Sequence, residues 1–186
     1  MEAYESLVTR VSPAVLEEPA PDPETERKIF AAALRAPDHK RLRPWRFISI
    51  RGDARAKLGE IFAAAYQSKL SNASPEAISR ERKKPLRAPL ILVVLAKLVD
   101  DANVPAIDQK YSAAAAAQNI ILASEALGFG AVWKTGDAAT DPLIREALGV
   151  GSNEEIVAYI YIGTVKARPN PPAPLDVSAF VTNWPG

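Results

Sequence analysis

The stretch Arg35-Ala36-Pro37-Asp38-His39-Lys40-Arg41-Leu42-Arg43-Pro44-Trp45-Arg46-Phe47 decides how this chain is read. Pro37 disfavours helix at Ala36, so a helix must end there. A charged loop follows from Asp38 to Pro44, and Trp45 to Ile50 has the apolar, aromatic character of a strand. Working backward, Asp22-Pro23-Glu24 opens the helix that ends at Pro37. Asp22 fits the N-cap and Pro23 the first turn, with Ile29, Phe30, Ala33 and Leu34 as the apolar stripe. Before it lie a short helix over Ala3 to Arg10 and a Pro-rich acidic connector from Glu17 to Pro23.

Working forward, Gly52-Asp53 begins a helix carrying Leu58, Ile61, Phe62 and Ala65 on one face, and Ser71 to Pro75 breaks it. The aliphatic run from Pro89 to Lys97 suits a strand buried on both faces. Ile107 to Leu127 is the longest helix, with Gly128 at its C-cap. Gly130 to Thr135 is a short strand, and Asp141-Pro142 starts a short helix that Gly149 closes. Ile156 to Gly163 alternates as a strand, Val165 to Pro174 forms an extended arm, and Phe180 to Trp184 suggests a last short strand. Helices and strands are mixed, and no Gly-rich phosphate fingerprint follows a strand, so a Rossmann reading is poor.

Composition narrows the chemistry. The 186 residues suggest one domain, 1–186, with a hydrophobic fraction of 48%. Lys+Arg 23 against Asp+Glu 22 gives a net charge of +1, which argues against nucleic acid as a partner. The local basic run from Arg80 to Arg87 reads as a solvated helix face and its exit, ahead of a patch that meets a charged ligand. There is no cysteine, hence no thiol couple or iron–sulfur cluster, and the single His39 argues against a His-rich metal site. If the chain does redox chemistry, an organic cofactor must carry the electrons. The strongest apolar run, Leu90 to Ala96, is far short of the ~20 residues a membrane helix needs. The acidic Met1-Glu2-Ala3-Tyr4-Glu5 lacks a signal-peptide apolar core, so a cytoplasmic location is expected.

Two features suggest a second copy. Ala113 to Ala117 and then Ile120, Ile121, Leu122 and Leu127 make the long helix apolar on most sides, which fits a central helix and an interface helix equally well. The Pro-rich arm ending in Phe180, Val181 and Trp184 suits either packing on its own subunit or adding a strand to a partner.

Four motifs, in order and spacing, resemble the nitroreductase family, in the minimal form of the YdjA type. They are Thr9-Arg10-Val11-Ser12, the Ala36-Pro37-Asp38-His39-Lys40 to Pro44-Trp45-Arg46-Phe47 block, Leu127-Gly128-Phe129-Gly130-Ala131-Val132-Trp133-Lys134-Thr135-Gly136, and Ile160-Tyr161-Ile162-Gly163-Thr164. The resemblance covers essentially the whole chain. It implies an α+β fold with a central, mostly antiparallel sheet flanked by helices and a C-terminal arm exchanged in a homodimer. It also implies FMN at the dimer interface, with both subunits contributing to each site. The implied cofactor contacts are Arg10, Val11, Ser12, Arg35, His39, Trp133, Lys134 and Thr135.

The residues alone offer blander roles. Arg10 and Arg35 suit helix-end charges, and Trp133 suits the core. The family often carries further basic residues after its first arginine, where this chain has Val11, Ala14 and Val15; Lys166 or Arg168 then become candidates for the phosphate, and Lys134 or Lys40 for the charge near the reduced ring. The activity the resemblance implies is ping-pong transfer of two electrons from NADH or NADPH to nitroaromatics, quinones or similar small acceptors. The flavin carries the chemistry, so no catalytic side chain or metal is expected. The alternatives are a non-catalytic flavin-binding or sensor module, a flavin-consuming enzyme of the same superfamily, and a ligand-free interaction protein.

Overall fold

The computed structural model describes residues 3–101 and 103–186; Met1 and Glu2, the start of the acidic N-terminus, lie outside it with Ala102. The helices are α1 (Ala3–Val8), α2 (Pro23–Ala33), α3 (Asp53–Lys69), α4 (Pro75–Lys83), α5 (Ala106–Ala126) and α6 (Pro142–Ala147). The strands are β1 (Trp45–Arg51), β2 (Leu90–Lys97), β3 (Gly130–Lys134) and β4 (Glu154–Gly163). The strands form one sheet in the order β1-β2-β4-β3, and every neighbouring pair is antiparallel. This is the α+β sheet with flanking helices that the motifs implied.

Both faces of the sheet are covered. Leu90, Leu92 and Val94 of β2 face a cluster with Ile29 and Ala33 of α2 and Ala116, Ala117, Ile120 and Ile121 of α5. Ile91, Val93 and Leu95 face the other way, against Leu58, Phe62 and Ala65 of α3 and Ile144 of α6. The aliphatic run from Leu90 to Ala96 is therefore fully buried. β4 lies between β2 and β3 and is also buried on both faces over most of its length, so it does not behave as a half-exposed alternating strand.

Helix starts follow the sequence signals. Asp22 accepts from the Thr25 amide at 2.7 Å and caps α2, Ser74 caps α4, and Asp141 caps α6 through the Leu143 and Ile144 amides. α1 stops at Val8, two residues before the expected end. In α5 the alanine run buries Ala113, Ala116 and Ala117, the last two against the sheet, whereas Tyr111 is 65% exposed.

The tail departs from expectation. Phe180 to Trp184 forms no strand; after a 3-10 turn at Val177–Ala179 it is irregular and exposed, with Trp184 at 87%. A strand needs an edge to pair with, and among the described residues this segment pairs with none.

Candidate functional site

The N-terminal segment is fixed by a close crossing. Glu17 and Thr164 form a bridge with amide–carbonyl distances of 3.0 and 2.8 Å. Gly130 and Gly163 are directly paired where this segment passes. A Cβ on Gly130 would lie 2.2 Å from Val165 and 2.9 Å from Leu16, and one on Gly163 would lie 2.6 Å from Pro89 and 2.9 Å from the Glu17 carbonyl. The two glycines thus let residues 13–17 cross the end of the sheet and hold Ser12 beside β3.

There the chain forms a partly open cavity of about 620 Å³. That size suits a small organic ligand. Its walls are aromatic and aliphatic: Phe62 and Tyr66 from α3, Val132 from β3, Tyr159 and Tyr161 from β4. Phe62 meets Tyr159 edge-on at 5.9 Å, and the Tyr159 hydroxyl donates to the Ala138 carbonyl at 2.9 Å. Burial raises both tyrosine hydroxyls, Tyr161 to about 12, so both stay neutral near pH 7.

The polar lining is Ser12, Lys134 and Thr135 together with Lys69, Glu81, Lys84, Arg87, Asp137 and Asp141. Lys69 pairs with buried Asp141 at 3.0 Å and Lys84 with Glu81 at 2.5 Å. Arg87 and Lys134 join no ion pair among the described residues, which leaves them to meet a negative group.

The eight residues singled out from sequence fall into distinct places. Ser12, Lys134 and Thr135 line this cavity. Arg10, half-buried, reaches Ser12 Oγ at 3.3 Å, and Val11 is buried beside it. Trp133 is half-buried against the opposite face of the sheet, because alternation sends Val132 and Lys134 to the cavity face and its own ring to the α5 side. Arg35 lines a separate shallow hollow with Ala36, Pro37, Asp38, Arg41, Arg43 and Trp45, and His39 is exposed outside both. Within one chain the set is therefore divided among the cavity, the opposite face of the sheet and the separate loop.

The loop carrying His39 is strained: Lys40, Arg41 and Arg43 all have left-handed backbones without being glycine. Asp38 holds it by accepting from the Leu42 and Arg43 amides at 3.1 and 2.7 Å. Strain of this kind concentrates at ligand sites. Of the auxiliary cations, Lys40 lies 3.5 Å from Asp101, Lys166 lies 3.9 Å from Glu17, and Arg168 reaches both Glu125 and the Thr9 carbonyl; none lines the cavity.

Sequence reasoning missed Tyr66, Lys69, Tyr159 and Tyr161; Glu81, Lys84 and Arg87 fall in the Arg80 to Arg87 run, which reads as a solvated helix face ahead of a ligand patch. One signal was available: Phe62, Tyr66 and Lys69 stand at i, i+4 and i+7 and share one side of α3.

The cavity is aromatic-walled, lies at the end of a buried antiparallel sheet and carries Lys134 and Arg87 on its lining, a combination that suits a flat organic ligand. The chain belongs to the nitroreductase family, a family of oxidoreductases: that family's model matches residues 14–164. YdjA of Escherichia coli K12, provisionally named an NAD(P)H nitroreductase, is 37% identical over 98% of this chain and 99% of its own length. A Haemophilus influenzae protein with the same provisional name is 35% identical over 88% of this chain and 89% of its own. A nitroreductase-like family protein from Bacillus cereus superposes with a TM-score of 0.83 at 22% identity, covering 100% of this chain and 97% of that one. A Desulfitobacterium hafniense nitroreductase with bound FMN superposes with a TM-score of 0.71 at 17% identity, over 99% of both chains. These last two establish likeness of fold. Among the described residues no helix is long and apolar enough to cross a membrane.

Proposed function

We propose that this protein is an FMN-dependent NAD(P)H oxidoreductase that reduces small acceptors such as nitroaromatics or quinones by a ping-pong scheme. In this reading residues 1–186 act as one domain, in a cytoplasmic homodimer. The observation that carries the reading is the cavity in which Ser12, Lys134 and Thr135 meet Phe62, Tyr66, Tyr159 and Tyr161.

The residues present fit FMN. A flat ring system needs apolar walls, and the aromatic set supplies them. A phosphate and a polyhydroxylated chain need cations, hydroxyls and free amides; Ser12 lines the cavity, Arg10 reaches its hydroxyl at 3.3 Å, and Arg10 with the Val11 amide would supply the rest from beside it. Lys134 and Thr135 would hold the ring edge, with Trp133 contributing through its backbone. Bound there, FMN supplies a two-electron carrier that accepts hydride from a nicotinamide and passes the electrons to an acceptor.

The chain's own part is to orient and to exclude water. The aromatic walls would cover a bound ring on the side they line. Tyr159 and Tyr161 stay protonated, so they add no negative charge next to a ring that gains electrons. Lys134 and Arg87, which join no ion pair among the described residues, place positive charge on the lining, whereas Lys84 is neutralised by Glu81. No side chain here has to act as acid or base.

The separation of Arg35 and His39 from the main cavity supports a site shared by two copies, each lending its own loop to the other's cavity. The tail supports the same assembly. Leu175, Val177, Phe180, Val181 and Trp184 are all at least 58% exposed, an apolar surface that a second copy would cover. An arm lying along the partner's sheet would give Phe180 to Trp184 the edge that its own chain denies it.

Anaerobic mixing of FMN-loaded protein with NADH or NADPH tests the activity. The flavin absorbance should bleach and return when a quinone or nitroaromatic is added. Flavin that stays yellow with both donors would reduce the protein to a non-catalytic binder.

A further inference from the structure

Positive charge also gathers just outside the cavity. Arg80 and Lys83 of α4 and Arg87 of the 3-10 turn Lys84–Arg87 stand at i, i+3 and i+7, so they share one side. With Pro75, Glu76 and Ser79 they line an open, shallow groove. Their basic neighbours are already paired: Arg82 Nε donates to both oxygens of Glu60 at 2.8 and 3.0 Å, and Lys84 holds Glu81. Arg80, Lys83 and Arg87 join no ion pair among the described residues, and the one carboxylate on the groove is Glu76, in the first turn of α4. Arg87 lines the groove and the main cavity at once, so the two share a wall.

Cations stacked three or four apart repel one another and cost helix stability. Cations near a helix C-terminus recover some of this through the backbone dipole, but that role does not call for a groove that borders a cavity at Arg87. A bound polyanion accounts for both the charge and its position. From Arg80 to Arg87 the rise along the helix is about 10 Å, enough to engage more than one phosphate group.

We propose that this groove binds the phosphates of the nicotinamide dinucleotide and favours the form carrying the 2′-phosphate, NADPH over NADH. The inference rests on the oxidoreductase reading and deepens it. Arg87 and Lys83, nearer the cavity, meet the pyrophosphate, and Arg80 meets the outer phosphate. Guanidinium groups suit this because they bind phosphate oxygens in pairs. The shared wall with the cavity singles out a dinucleotide over a nucleic acid or a lipid surface, and the chain's net charge of +1 gives neither of those broader support.

Calorimetric titration with NADP+ and NAD+ tests this, using wild-type protein and the Arg80→Ala/Lys83→Ala double variant, each with and without FMN. Wild-type protein should bind NADP+ about tenfold more tightly than NAD+, and the double variant should lose that margin. In turnover the variant's KM for NADPH should rise by a similar factor with kcat unchanged, and Arg80→Lys with Lys83→Arg should restore part of the loss. FMN affinity and Tm should not move. Equal wild-type affinities, or an unchanged variant, overturn the proposal, as does tight binding of duplex DNA or anionic vesicles that the variant loses while NADP+ binding stays. If FMN itself fails to bind, the flavin-free titrations still report on the groove, so the two failures can be told apart.

Discussion

Arg46 on the edge strand β1 grips Glu154 at the start of β4 with two donors, Nε to Oε1 at 2.7 Å and Nη2 to Oε2 at 2.6 Å. β1 and β4 are not neighbours in the sheet, so the pair reaches across the end of β2. Arg46 Nη2 also donates to the Gly149 carbonyl at 2.9 Å, and the Gly151 amide donates to Glu154 at 2.9 Å. One ion pair thus ties the sheet to the turn that follows α6.

This pair predicts a specific acid response. The Arg46 hydrogen bond, against the opposing effect of burial and with help from the Gly151 amide, holds the Glu154 carboxyl down at about 2 from an ordinary 4.5. A depressed carboxylate stabilises the fold fully above its unfolded pKa and loses that contribution as pH falls from about 4.5 toward about 2. Glu154→Gln should therefore cost about 2–3 kcal/mol at pH 7, a figure discounted because the Arg46 side chain is 37% exposed. Urea unfolding at pH 7 and pH 3 checks this: the gap between wild type and variant should narrow at pH 3. A gap of constant size would contradict it.

The crossing at Gly163 predicts a linked loss of stability and binding. Gly163→Ala forces a methyl group against Pro89 and the Glu17 carbonyl. We expect about 1–3 kcal/mol of destabilisation. FMN affinity should weaken as well, because displacing Glu17 moves the strand-end segment that holds Ser12 at the cavity. Thermal melts and flavin titration on the same protein measure both. Normal affinity in a destabilised variant would show that the crossing serves the fold alone.

Much of the fold was legible because its signals are local. Asp22-Pro23 and Asp141-Pro142 mark helix starts through hydrogen bonds within three residues, and the run from Leu90 to Ala96 announces a doubly covered strand by composition. The site was only partly legible. Ser12, Lys134 and Thr135 sit in motifs beside turns and reach the cavity together. Lys84 and Arg87 gave no such signal, because a basic helix looks the same whether it faces water or a ligand. Tyr159 and Tyr161 read as plain core residues, since whether a buried strand residue borders a cavity depends on α3 and α6 across from it. The last strand, from Phe180 to Trp184, was expected from composition, but a strand forms only where an edge exists to receive it.

The strained loop predicts a binding defect without a folding defect. Asp38→Ala removes both acceptors that hold Leu42 and Arg43 while three non-glycine residues sit in left-handed conformations. Released, the loop relaxes, and under the proposed shared site Arg35 and His39 would no longer be held where a partner's cofactor could meet them. FMN affinity should fall about tenfold, while circular dichroism stays unchanged because the loop is exposed. Unaltered affinity would remove this loop from the cofactor site.

The exposed tail predicts coupling between assembly and cofactor. Removal of residues 169–186 should give a monomer by sedimentation and, with it, loss of tight FMN binding. A truncated protein that remains dimeric and yellow would place the dimer contact elsewhere, on α5.

The central claim is tested most directly by fluorescence titration of FMN into the apo-protein, wild type beside Arg10→Ala. The account predicts one FMN quenched per chain, with affinity weakened about 10- to 100-fold in the variant, as expected for a lost charge-assisted contact. FMN fluorescence that stays unquenched at every protein concentration would contradict it.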